Sequence, residues 1–187
     1  SSCMAAWYGR RMAFVEIDGD WPTSDAHFPT QVQECHATCP GPVVIVVHPP
    51  LCISSSPIFY YIFWAFAPAI AGFRHLKPVI CVDGTFLKGP YRGKILTAVA
   101  FDADNHLFPL AFALVDEENN RSWSWFMRLL RIHVCGDIHN ICVISDHHHG
   151  IINAMRTLQE WKEPLAVHRF CLVHMRSNFT QKFKNQR

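Results

Sequence analysis

The sequence predicts an α/β protein, a mixed sheet with helices on its faces. Three observations predict it. Three apolar, β-type runs between Lys77 and Val115 are separated only by turns. Helical and strand patterns then alternate from Asn119 to Phe183. Half of the 187 residues are hydrophobic and 17% are charged, a balance that supports a packed core rather than a disordered chain. A turn-linked triplet of strands followed by helix, strand, helix, strand and helix gives five strands in one mixed sheet.

Taken in order, residues Met4 to Ile17 place Met4, Tyr8, Met12 and Val15 on one helical face and turn Arg10 and Arg11 outward. Gly19-Asp20-Trp21-Pro22 breaks that helix. A short second helix from Ser24 brings Phe28, Val32 and Cys35 into register and stops at Cys39-Pro40-Gly41-Pro42. Val43 to Val47 reads as a strand, closed by Pro49-Pro50. Ser54-Ser55-Ser56-Pro57 is a cap or linker before an aromatic stretch. That stretch, Ile58 to Phe73, is nearly uncharged, but it is shorter than the roughly 20 residues a bilayer demands and contains Pro68, so a buried helix is expected and no membrane anchor. This divides the chain into a small, mostly helical segment, 1–56, and a core, 57–187.

Pro78 to Val82 is a continuous apolar run, as in a strand buried on both faces. Gly89 to Gly93 turns. Ile95 to Phe101 and Leu107 to Val115 are two more strands, joined through Asp102-Ala103-Asp104-Asn105, a connection short enough to require antiparallel pairing. Asn119, Asn120 and Ser122 can cap a helix carrying Trp123, Phe126, Met127 and Leu130 on one side. Ile141 to Ile144 is a further strand. A helix from Gly150 carries Ile151, Ala154, Met155 and Leu158, Ala166 to His168 is the fifth core strand, and Cys171 to Phe183 is a basic helix.

Asp83 and Asp146 each come at the end of one of these buried runs. Ligands of open α/β sheets bind at strand carboxyl ends. Two carboxylates there repel one another unless a hard cation lies between them, which suits Mg²⁺ or Mn²⁺ and phosphoryl transfer. The alternative is that both are turn or cap residues, a common role for Asp. His147, His148 and His149 cannot all address one ion, and imidazole prefers softer metals, so zinc is disfavoured. Cys171 and His174 share a helical face and could pack, position DNA or clip a metal; Cys35 to Cys39 lacks a second ligand pair nearby. Eight scattered cysteines without a secretory signal suggest reduced thiols. The net charge of +2 is too small to imply nucleic acid, but His168 to Arg187 has no acid at all and carries Arg169, Arg176, Lys182 and Lys184 among Phe170, Phe179 and Phe183. Trp123 and Trp125 read as packing groups.

The stretch Pro78-Val-Ile-Cys-Val-Asp83-Gly-Thr-Phe-Leu-Lys-Gly-Pro-Tyr-Arg-Gly93 strongly resembles the opening of the Mutator-like (MULE) transposase domain of plants. The match continues through Leu107 to Val115, Glu118, Ser122-Trp-Ser-Trp-Phe126, Ile144-Ser-Asp146 with Gly150-Ile151, and His168-Arg-Phe-Cys171-Leu-Val-His174. The resemblance implies an RNase H-like fold with a DDE-type triad, Asp83 as first metal ligand and Asp146 as second, and Mg²⁺ or Mn²⁺ as cofactor. It implies double-stranded DNA as partner, both terminal inverted repeats and target, and a nuclear location; self-association stays open. The family's third acid, a Glu, lies in a later helix. The Ser-Ser opening without an initiator Met and the stop in a basic run suggest a piece of a longer protein that ends before that Glu, and so an incomplete, inactive site. Glu118 matches a family position before the first core helix and reads as a supporting acid. The function expected is metal-dependent strand cleavage and transfer at element ends. The alternative is a domesticated, non-catalytic DNA-binding regulator of the far-red-impaired-response type, or a decayed relic; the retained aspartates favour recent descent from an active element.

Overall fold

Runs of β-branched, aromatic and small apolar residues bounded by turn residues set the strands of this chain. The computed structural model describes residues 34, 41–47, 61–87 and 93–183; the helix expected at Met4–Ile17 lies outside them, and so does the one after Ser24 except for Glu34, which is helical. The strands are β1 (Val43–Val47), β2 (Tyr61–Ala65), β3 (Val79–Phe86), β4 (Lys94–Phe101), β5 (Leu107–Val115), β6 (Ile141–Ser145) and β7 (Ala166–Phe170). They form one sheet in the order β1-β2-β5-β4-β3-β6-β7. All pairs from β1 to β3 are antiparallel, whereas β3, β6 and β7 run parallel.

The expected five-stranded core is therefore a seven-stranded sheet. The Val43–Val47 strand forms as expected and joins the sheet through β2. The buried helix expected over Ile58–Phe73 is overturned in its first half. Tyr61, Ile62, Phe63 and Trp64 pair with β5 opposite Val115 to Phe112, because aromatic and β-branched side chains fit a pleated surface. The helix begins only at α1 (Ala67–Gly72), where Pro68 sits in the first turn and its missing N–H costs nothing. A 3₁₀ turn, Phe73–His75, completes that segment.

Helix α2 (Asn120–Leu130) starts at a capping box. The Asn119 side chain accepts from the Arg121 and Ser122 N–H groups, and the Ser122 hydroxyl accepts from the Asn119 N–H at 2.9 Å. Trp123, Phe126, Met127 and Leu130 are buried, the face the spacing predicts. Trp125 packs on Tyr61 and Phe63 with ring centroids at 5.0 and 6.3 Å, so both tryptophans are packing groups. The helix runs on into a π turn, Arg131–Cys135, and stops at Gly136 with φ +50°.

Alternate residues of the central strands, Ile80 and Val82, Leu96 and Ala98, Ala111 and Ala113, Ile141 and Val143, are buried in one core with α2 and α3 (His149–Thr157). Each large apolar side chain enclosed there contributes about 1.5–3 kcal/mol. Trp161 closes the core below α3, its indole N–H donating to the Met127 carbonyl at 3.0 Å. The basic helix α4 (Leu172–Phe183) comes after β7 and buries none of its residues. Among the described residues no helix is long and apolar enough to cross a membrane.

Candidate active site

Strands β3 and β6 hold Val79 opposite Cys142, Ile80 opposite Val143 and Cys81 opposite Ile144. Two residues further along stand Asp83, inside β3, and Asp146, just past β6, level with one another where the parallel pairing ends. Neighbouring strands are about 4.8 Å apart, so the topology makes these two acids near neighbours. Asp83 is exposed, and one of its oxygens accepts the Gly84 N–H at 2.9 Å. The Thr97 hydroxyl donates to its carbonyl from β4 at 3.2 Å. Asp146 is half-buried and accepts the His148 N–H at 2.9 Å, an Asx turn that leads into α3. Each carboxylate thus uses one oxygen on a nearby backbone N–H, Asp146 in a turn and Asp83 within β3. The turn role is overturned for Asp83, because β3 stays paired with β4 through Phe86; the second oxygen of each acid has no partner among the described residues.

A third acid stands behind this pair. Glu118 accepts the Trp123 indole N–H at 3.1 Å, and its side chain is only 14% exposed. Its carboxylate lies against Gly84, where a Cβ would meet the Glu118 oxygens at 2.6 and 2.9 Å. It also approaches His148 Nδ1 at 3.8 Å. That approach is a contact rather than an ion pair, since Nδ1 accepts the Gly150 N–H at 3.1 Å and so has no proton to share. Glu118 thereby touches the β3 backbone after Asp83 and the turn after Asp146 at once. Gly150 has its own constraint: a Cβ there would collide with Trp123 and come within 2.7 Å of the Asn119 carbonyl oxygen, so only glycine lets α3 start this close to α2.

On the far side of Asp146, Ser145 is buried and its hydroxyl donates to the Asp146 carbonyl at 2.7 Å. His168 Nε2 meets the same hydroxyl at 2.8 Å and, with that proton committed, is the donor. Burial, and then the nearby Arg169 and His147, hold His168 below the usual imidazole range, which keeps it neutral. His147 stacks on Phe170, His148 caps α3, and His149 opens it. The Ser145–His168 link was not legible in the sequence, where Ser145 reads only as the residue before the acid.

Arg169 is exposed on β7, its guanidinium donating to the His168 carbonyl at 2.8 Å. Arg176 and Lys182 are exposed on α4, and Lys184 lies outside the described residues. Cys171 directly succeeds β7, its N–H donating to the Ser145 carbonyl at 2.7 Å, while His174 Nδ1 is buried without a partner. Cys81 is pushed up by burial, and then by Cys171 and Cys142. Among the described residues no three or more His, Cys, Asp or Glu side chains are gathered closely enough to hold a metal ion. The oxygen pair of Asp83 and Asp146 nonetheless has the donor chemistry of a hard divalent cation, completed by ligands from substrate or solvent. Arg169 lies on β7, the strand next to β6, and is exposed.

A comparison with protein families matches residues 79–178 to the MULE transposase domain, more than half of the chain. No curated protein matches it.

Proposed function

Because the chain belongs to the MULE transposase domain family, we propose that its transposase-derived sheet is an RNase H-like core that cuts and joins DNA at element ends with Mg²⁺ or Mn²⁺. The observation that carries this reading is the level placement of Asp83 and Asp146 on adjacent parallel strands. The order β5-β4-β3-β6-β7, three antiparallel strands followed by two parallel ones, supports the fold assignment; β1 and β2 extend the sheet beyond it.

In this reading the free oxygens of Asp83 and Asp146 hold the cation. When bound, it neutralises the phosphate and activates the attacking oxygen. The chain's own residues set the geometry. Gly84 and His148 N–H groups fix the two carboxylates, Glu118 lies between β3 and the start of α2, and the Ser145–His168 link ties the Asp146 backbone to β7. Arg169, Arg176, Lys182 and Lys184 supply a sequence-independent grip on the DNA backbone. The family's triad has a Glu as its third acid, and the site works in the nucleus.

Strand cleavage of terminal-inverted-repeat DNA by the full-length protein with Mg²⁺ tests this. Asp83→Asn and Asp146→Asn each lower cleavage by more than the roughly 10–100-fold that losing an outer-shell partner costs, with DNA binding retained. Equal cleavage by these variants overturns the assignment. DNA binding without cleavage by the parent makes the protein a non-catalytic regulator of the far-red-impaired-response type instead.

A further inference from the structure

The turn after β6 carries an aromatic surface that the acid pair does not use. His147, directly after Asp146, lays its imidazole flat on the Phe170 ring, with centroids 4.1 Å apart and planes at 10°. Phe170 stands in register beside Ser145 on β7 and meets His168 edge-on at 4.9 Å, so the stack is backed by the sheet. Both rings nevertheless face water: His147 is exposed and Phe170 is 40% exposed. Among the described residues the His147 side chain makes no hydrogen bond or ion pair.

Apart from the acid pair itself, the charges beside the stack on β7 and the chain that follows are cationic. Arg169 is exposed next to Phe170, and the stretch from His168 to Arg187 contains no acid. Further along β3 from Asp83, Phe86 is 73% exposed with Lys94 Nζ 2.9 Å from its ring centre. Flat rings interleaved with cations form the surface that single-stranded nucleic acid stacks on. A base inside a duplex has both faces covered by its neighbours, so only an unpaired base can use a ring presented from one side.

We infer that the His147–Phe170 stack is a base platform, which takes one unpaired nucleobase of the DNA strand beside the phosphate addressed by Asp83 and Asp146. This rests on the DNA-processing reading above and adds to it a requirement for local strand opening at the site. Stacking of one base on an aromatic ring is worth about 5- to 150-fold in affinity.

The test is fluorescence anisotropy with the complete protein in EDTA at fixed salt, so that catalysis plays no part. The probes are a fluorescein-labelled 20-base-pair duplex and the same duplex with a three-base mismatch bubble. The parent is expected to prefer the bubble. His147→Ala, at an exposed position that leaves the core intact, weakens bubble binding by about 5-fold or more and leaves the paired duplex unchanged; His147→Phe keeps the preference and His147→Lys does not. Equal binding of the two duplexes by the parent, or rescue by Lys rather than Phe, overturns the platform while the DNA reading stands. Binding of neither duplex overturns both.

Discussion

Gly84 and Glu118 share one volume of space, and each constrains what the other can be. A methyl at Gly84 would displace the Glu118 carboxylate from the indole N–H of a wholly buried Trp123. Leaving that N–H unpaired costs about 1–3 kcal/mol. Gly84→Ala is therefore expected to lower the urea midpoint accordingly. Glu118→Gln, which keeps an acceptor for Trp123, should cost less than Glu118→Ala. An unchanged midpoint in Gly84→Ala would show that Glu118 is not held there. The two aspartates were legible because apolar runs stop at each, although only Asp146 stands at a strand end and β3 continues past Asp83 to Phe86. Gly84 pairs with Leu96 inside that strand. The carboxylate that occupies its missing side chain's place comes from 34 residues further on, and local pattern is silent about such a distance.

Elements that start well position the groups beside them. The Asn119 cap fixes the first turn of α2, and through it Trp123 and Glu118. Asn119→Ala is expected to cost about 0.5–2 kcal/mol in denaturant melts. Gly150→Ala should cost at least the roughly 1–3 kcal/mol of overpacking, because the Asn119 carbonyl in its way is backbone and cannot swing aside. Helix α4 is different in kind: with no buried residue it contributes charge rather than packing. Arg176→Ala and Lys182→Ala should each flatten the slope of log binding constant against log salt by about one, uniformly across DNA sequences. A slope equal to the parent's would remove that residue from the interface. Most elements were readable from spacing and turn chemistry. The β2 strand was not, because an unbroken apolar stretch such as Tyr61–Ala65 has no period to separate strand from helix. Its partners β1 and β5 decide, and Pro68, read as an interruption, proves to be a beginning.

At the level of the whole molecule, His168 links stability to pH. Its folded form is held neutral, while the unfolded chain takes up a proton near the ordinary value of about 6.5. The unfolded state therefore binds more protons as pH falls through that value, so the contribution of His168 is complete above about pH 6.5 and declines below it. Urea midpoints at pH 7.5 and 5.5 should differ more in the parent than in His168→Asn; an equal difference would mean that His168 does not titrate on unfolding. The sheet order has one more consequence. Asp83 and Asp146 stand on adjoining strands although 63 residues separate them in the chain. The meander β3-β4-β5 is built from near neighbours, whereas the β3–β6 seam must wait for α2 to cross the sheet, a closure that is entropically costly and slow. The two carboxylates are therefore halves of a latch that engages only when the whole chain is home. A break anywhere between them that frees β6 from β3 parts the pair with both acids intact.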